Sequence, residues 1–277
     1  MKKFIIVSNI VKDPELKIAY ELEERMKKTG AEVCGVHEMN DIKTVDVGIC
    51  ECVLVVGGDG TMLRVAKDIM DYGLPIIGVN LGDLGFLTEI EITNIENAIG
   101  AIMNDKYHIE ERMMLDGVVC RENKLDKVTS ALNDVVLSRR GDLQIIGYRV
   151  YVNGLYLNDF FADGIILSTP TGSTGYNMSA GGPIVEPKAQ LMVLTPVSPH
   201  TLSTRSIMLS ASDKVEVEIL PPKGNKGIEV GVYFDGGDSK ILTEGDKVSI
   251  TKGHKVIRIL KISDMSFLEV LHKKMAE

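Results

Sequence analysis

Apolar and polar positions alternate along the first hundred residues in blocks that change period. Residues 3–8, Lys3-Phe4-Ile5-Ile6-Val7-Ser8, are a short apolar run and predict a buried strand. Asp13 and Pro14 then supply a helix N-cap and a first-turn proline. Leu16, Ala19, Leu22 and Met26 recur on one helical face until Gly30 ends the helix. Further strands are predicted over 32–37, 52–56 and 75–80. A helix is predicted from near Thr61 to about Met70, and another carries Ile95, Ala98, Ile99 and Ile102. Strands separated by helices predict a parallel, doubly wound α/β sheet, with ligands outside the carboxyl ends of its strands.

After Arg112 the period shortens. Val118-Val119-Cys120, Val135-Val136-Leu137, residues 148–152, Ile165-Ile166-Leu167, residues 215–219 and Val248-Ser249-Ile250 are short, often alternating, and separated by Gly, Asn and Asp turns. They predict an all-β second domain. Residues 267–274 read as a helix again, returning to the first domain. The expected organisation is an α/β domain over 1–112, a β-rich domain over 113–250, and a segment 251–277 that completes the first.

The chemistry starts where the third strand breaks into Gly57-Gly58-Asp59-Gly60-Thr61. Glycines at a strand-to-helix turn permit positive φ and let backbone amides approach a ligand. The helix that follows directs its free N–H groups and positive dipole end into the same space, which suits phosphate. A carboxylate there suits a metal ion, a ribose hydroxyl or a proton. A plain βα turn with Asp59 capping the helix remains an alternative. No Gly-Lys-Ser/Thr follows, so the turn is not a Walker loop, and Leu63 stands where a dinucleotide fingerprint needs its third glycine.

Composition narrows the field. At 277 residues, with 44% hydrophobic and 25% charged positions, the chain is of ordinary globular type. A net charge of −8 argues against a nonspecific nucleic-acid or anionic-membrane surface. The opening apolar run stops after four residues, too short for a signal peptide, and no run spans a bilayer. Cys34, Cys50, Cys52 and Cys120 have neither zinc nor Cys-x-x-Cys spacing; Cys50 and Cys52, at the buried third strand, are expected to be structural, and the compartment the cytoplasm.

Three more segments carry recognition groups. Asn80-Leu81-Gly82-Asp83-Leu84-Gly85-Phe86-Leu87 is a second glycine loop at a strand end, or a simple turn. Asn133-Asp134 offers a donor, an acceptor and two carboxylate oxygens, able to read an adenine edge and chelate ribose hydroxyls, though the pair is also a common turn. Residues 163–183, from Asp163 to Pro183, combine hydroxyls and glycines with Tyr176 as an aromatic for a flat ring. Gly172 and Ser173 are adjacent, so no Gly-x-Ser-x-Gly hydrolase elbow exists there.

In this order and spacing the segments resemble the NAD kinase family over most of the chain. The Gly57–Thr61 run alone is shared with diacylglycerol and sphingosine kinases; the second glycine loop, Leu132-Asn133-Asp134, residues 168–176 and Ser179-Ala180-Gly181-Gly182-Pro183 make the likeness specific. The resemblance implies an α/β domain, a β-rich domain, a C-terminal return, and transfer of the ATP γ-phosphoryl to the adenosine-ribose 2′-hydroxyl of NAD, giving NADP. It implies Asp59 as proton acceptor with Gly60 beside it, and Gly57, Gly58, Gly60 and Thr61 toward the phosphate donor. It assigns NAD contacts to Arg64, Asn133, Asp134, Asp163, Thr174, Gly175, Tyr176, Asn177, Met178, Ser179 and Asp235. Mg²⁺ or another divalent metal is expected with ATP, without an identified protein ligand, and no sequence-local lysine neutralises the phosphates. A homodimer or homotetramer with shared active sites is expected, with no nucleic-acid or membrane partner. A lipid kinase with the same loop is the nearest rival, and a non-catalytic NAD(P)-binding regulator is another.

Overall fold

The computed structural model describes residues 1–82, 85–122, 124–141, 144–201, 205–222, 228–263 and 265–276, apart from the side chain of Asp238. Asp83 and Leu84 of the second glycine loop lie outside the described residues. The chain forms two compact units, Met1–Arg112 with Lys255–Glu277, and Met113–His254.

The first unit contains β1 (Lys3–Ser8), α1 (Lys17–Lys28), β2 (Glu32–Glu38), β3 (Cys52–Val56), α2 (Asp59–Ile69), β4 (Pro75–Asn80), β5 (Thr88–Glu91) and α3 (Ile95–Met103). Its strands run parallel in the order β2-β1-β3-β4, with β5 also on β4. Phe4, Ile6, Leu54, Val56, Ile77 and Val79 pack with Ala19, Leu22 and Met26 of α1 and Ile95, Ala98, Ile99 and Ile102 of α3. Ile5, Val7, Val53 and Val55 are equally buried and alternate to the opposite face, where α2 packs. Burial of each such side chain stabilises the unit by about 1.5–3 kcal/mol.

The start of α1 differs from expectation. A 3-10 turn, Pro14–Leu16, intervenes, with Glu15 and Leu16 in the left-handed region (φ 60° and 57°). Asp13 still serves the helix from a distance. Its buried carboxylate accepts the N–H groups of Ile18 (2.8 Å) and Ala19 (3.0 Å) and the Ser8 hydroxyl (2.8 Å).

The second unit is built from the part of β6 (His108–Arg121) that starts at Met113, β7 (Lys124–Leu125), β8 (Thr129–Ala131), β9 (Asp134–Arg139), β10 (Ile146–Val152), β11 (Leu155–Ala162), β12 (Gly164–Ser168), β13 (Leu191–Val197), β14 (Ile207–Ser210), β15 (Val215–Ile219), β16 (Val230–Phe234), β17 (Gly237–Leu242) and the first part of β18 (Lys247–Lys261). One antiparallel sheet has the order β14-β13-β12-β9-β16-β17, and β11-β10-β15-β18 run side by side in another. Leu137, Ile165, Leu167 and Val232 of the former share a core with Tyr148, Val150, Val217 and Val248 of the latter. The all-β expectation needs one correction: a 3-10 turn, Thr171–Thr174, and a single helical turn, α4 (Tyr176–Ser179), follow β12.

The far part of β18 belongs to the first unit, where Arg258 and Ile259 pair with Pro75 and Ile76 of β4. α5 (Phe267–Met275) follows it there. Cys50 and Cys52 are buried free thiols, each pushed up to about 12 chiefly by burial, so both are inert core groups. Among the described residues no helix is long and apolar enough to cross a membrane.

Candidate functional site

In the first unit the site forms where β3 hands over to α2. The helix begins at Asp59, earlier than its periodicity implied, with Gly58 as N-cap and no side-chain cap. Of the turn's glycines only Gly57 has positive φ (158°), and its N–H reaches Val79 of β4 (2.9 Å). The N–H groups of Thr61 and Met62 return to the Gly58 carbonyl (2.9 and 3.1 Å). Those of Asp59 and Gly60 meet no acceptor among the described residues, leaving donors open at the positive end of the helix.

Asp59 is not a cap. Its Oδ2 accepts the Phe86 N–H (2.8 Å) and its Oδ1 the Leu87 N–H (3.0 Å), so the carboxylate is aimed at the second glycine loop. That approach requires Gly85, where a Cβ would collide with the Asp59 carboxylate. The Gly85 N–H is held by Thr88 Oγ1 (3.1 Å) at the start of β5. Asn80 closes the other side of the loop, accepting the Gly82 N–H at 3.2 Å. Its turn character and its place beside Asp59 are therefore both real.

Two cations flank the turn. Arg64 is exposed on α2, one helical turn beyond the loop. Lys12, in the segment after β1, lies with Nζ 3.2 Å from where a Cβ on Gly58 would stand. Its ammonium has no hydrogen-bond or ion-pair partner among the described residues. Asn9 of the same segment donates to Thr61 Oγ1 (3.3 Å), tying that segment to the first turn of α2.

In the second unit Asp134 opens β9 and pairs with Ser168, the last residue of β12. This register puts Asn133 against the turn after β12: the Asn133 carbonyl accepts the Thr169 N–H (2.8 Å), and the Leu132 carbonyl the Thr169 hydroxyl (2.6 Å). Gly172 passes so close to the Asn133 backbone that a Cβ would overlap it. Asn133 Oδ1 and Thr171 Oγ1 are buried without a hydrogen-bond partner. Such orphaned atoms are costly unless something outside the chain satisfies them. Asp134 is buried, and that burial together with the negative charge of Asp235 pushes its carboxyl up to about 7. Asp163 follows β11 and is paired with Arg139 (3.1 Å). Thr174 and Gly175 are half-buried; Tyr176, Met178 and Ser179 are exposed.

The side chains of two residues expected at NAD are engaged within the chain. Asn177 is fully buried, donating to Ser173 O (3.1 Å) and Pro183 O (3.0 Å) and accepting from the Thr195 hydroxyl (2.7 Å). Its amide shapes the turn from within. Asp235 accepts the N–H groups of Leu132 (2.8 Å), Asn133 (2.7 Å) and Asp134 (3.3 Å), so it supports the Asn133-Asp134 segment from behind. Lys12 had no local sequence signal, and Thr171 and the Phe86-Leu87 amides lay in motif segments without a role of their own. Each becomes significant only through a partner distant in the chain.

Residues 7–107 match the family described as ATP-NAD kinase N-terminal domain, and residues 132–262 the ATP-NAD kinase C-terminal domain. The NAD kinase of Lachnospira eligens is 39% identical over 294 aligned positions, covering 99% of this chain and 100% of the relative. That of Agathobacter rectalis is 41% identical over 286 positions, covering 99% of each. Among solved structures, yeast NADH kinase complexed with NADH has a TM-score of 0.81 at 21% identity, covering 100% of this chain and 88% of its own. An NAD kinase from Archaeoglobus fulgidus in complex with ATP has a TM-score of 0.78 at 24% identity, covering 99% and 98%. At such identities the structural likeness is one of fold.

Proposed function

Since the chain belongs to the NAD kinase family and phosphorylates NAD to NADP with ATP, we propose that Asp59 accepts the proton of the adenosine-ribose 2′-hydroxyl as it attacks. The observation that carries this reading is the aim of the Asp59 carboxylate. It stands at the mouth of a glycine turn with open N–H donors, gripped by the Phe86 and Leu87 amides, and does not cap its own helix. A carboxylate held by backbone donors keeps lone pairs for a hydroxyl while its direction is fixed.

Asn133 and Asp134 bind the adenine and ribose groups of NAD in this reading. The buried, unpartnered Asn133 Oδ1 supports it, since an exocyclic amine would supply the missing donor; Thr171 Oγ1 is open in the same way. Asp163, Thr174, Gly175, Tyr176, Met178 and Ser179 line the dinucleotide, with the half-exposed Tyr176 ring against a flat group. Arg64 of α2 also contributes to NAD binding in this reading.

Phosphoryl transfer has a loose transition state, so catalysis rests on positioning and on neutralising charge over the transferred group. The Asp59 and Gly60 amides and the Lys12 ammonium are suited to the donor's phosphates. Mg²⁺ or another divalent ion enters with ATP as part of the substrate and spreads that charge further. Among the described residues no three His, Cys, Asp or Glu side chains gather into a resident metal site. A cytoplasmic location, where both nucleotides are at hand, and a homodimer or homotetramer with shared sites complete the proposal.

The test is direct. Purified protein given NAD, ATP and Mg²⁺ is assayed for NADP with an NADP-specific dehydrogenase. Asp59→Asn is expected to bind NAD but to lose about 10²–10⁴-fold in kcat. A normal kcat in that variant would overturn the assignment of Asp59.

A further inference from the structure

The Phe86 amide that grips Asp59 belongs to a residue whose side chain is itself held. None of the described residues between Asn80, the end of β4, and Thr88, the start of β5, lies in a strand. Leu87 is anchored by burial, at 3% exposure. Phe86 is only half-buried, and its ring contacts come from α5. The Phe267 ring lies 5.9 Å from it, centroid to centroid, tilted by 39°. Lys274 Nζ lies 5.4 Å from the Phe86 centroid. Phe267 and Lys274 are two helical turns apart, so one face of α5 presents both groups to the ring.

The helix is shaped for this contact more than for burial. None of its residues is fully buried. A cleft of about 790 Å³ opens beside it, lined by Asn80, Thr88, Glu91, His272 and Lys273 among others. Its first turn is nonetheless fixed, because Ser266 Oγ accepts the Glu269 N–H (3.2 Å) while Glu269 Oε2 accepts the Ser266 N–H (2.7 Å). That reciprocal cap sets the direction of Phe267, the first residue of the helix.

We propose that Phe267 and Lys274 are positioning residues for phosphoryl transfer, holding the Phe86 backbone so that its amide orients the Asp59 carboxylate. The proposal rests on Asp59 as the proton acceptor. Neither residue meets the reacting atoms; they act through one amide donor. A reacting group displaced by about 1 Å can lose about a hundredfold in rate, so a modest loosening of one of two donors has a measurable cost.

The test is a double-mutant cycle. Phe267→Ala is expected to lower kcat roughly tenfold, the worth of an aromatic pair, while leaving NAD affinity within about twofold. Phe267→Tyr keeps the ring and restores kcat. Lys274→Met is expected to cost about threefold and Lys274→Arg to restore it, since either cation can sit over the ring. Leu268, exposed on the same helix, is the control, and Leu268→Ala should leave kcat unchanged. In an Asp59→Asn background, Phe267→Ala should cost nothing more. An equal loss in both backgrounds, a change in KM with kcat intact, or no change from either Phe267→Ala or Lys274→Met overturns the inference. If Phe267→Ala fails to fold by circular dichroism, the Lys274 pair carries the same cycle. Asp59→Asn alone tests the underlying reading, so the two failures are distinguishable.

Discussion

Asp134 lies buried beside Asp235, and the two carboxylates are treated oppositely. Asp235 collects three backbone N–H groups, while no described group donates to the Asp134 side chain. Asp134 therefore carries the cost of burial next to a negative charge, and its carboxyl is raised from the usual 3.8 to about 7. A carboxyl whose pKa is higher folded than unfolded contributes stability that is complete below about pH 4 and lost as pH climbs through 7. The difference is at most about 4 kcal/mol. Thermal melts of the free protein from pH 4 to 8 should show a downward slope that Asp134→Asn flattens. Ribose hydroxyls donating to Asp134 favour its ionised form, so NAD affinity should rise from pH 6 to 8 in the wild type only. Parallel slopes in the two proteins would remove this role.

Alanine at Asn133 or Asp134 should raise the KM for NAD far more than that for ATP. A hydrogen bond to a charged group is worth roughly 1.5–3 kcal/mol, about ten- to a hundredfold, so Asp134→Ala should be the more damaging. Steady-state kinetics with each substrate varied in turn decides it, and equal effects on both substrates point to misfolding.

Lys12→Met is expected to raise the KM for ATP about tenfold with little change for NAD, because the ammonium at Gly58 is suited to the donor's phosphates. Lys12 is exposed, so the effect should shrink as salt rises from 0.05 to about 0.5 M. An unchanged KM for ATP at low salt counts against it.

Gly85→Ala introduces a Cβ where the Asp59 carboxylate now rests. Either the carboxylate or the loop must yield, and kcat should fall about a hundredfold while NAD binding persists. Calorimetric titration of NAD into this variant separates lost geometry from lost structure.

If active sites are shared between subunits, mixing Asp59→Asn with Tyr176→Ala protein and allowing exchange should regenerate activity, since some hybrid sites receive both intact residues. Tyr176 and Met178 each keep 45% of their surface exposed, which leaves them available to a neighbouring copy. No recovery after proven exchange, or full specific activity in a sedimenting monomer, would end that proposal.

The local features of this molecule were legible in its sequence, and those made by distant partners were not. β1, β3, β4 and the glycine turn declare themselves, since apolar runs and punctuation are adjacent in the chain. β13 was hidden by Pro196, tolerated opposite Ile165, and β16 by Gly231, whose missing side chain leaves room for the Tyr233 ring. β11 mixes an exposed Tyr156 and a buried Phe160 with Asn and Asp and gives no clean alternation. At the site, the Asp59 turn could be read from its own residues. The Phe86 and Leu87 donors, Lys12, and the inward-facing Asn177 amide depend on chain segments brought together only by the fold.

The first unit is assembled from both ends of the described chain, whereas the second, Met113–His254, is continuous. On a ribosome the β-rich unit can therefore close before its partner is finished. The strand residues that pair with β4, and the helix whose Phe267 meets the Phe86 ring, emerge after it. A nascent chain can thus close the unit that carries Asn133 and Asp134 before the unit that carries Asp59 has received its returning strand and helix.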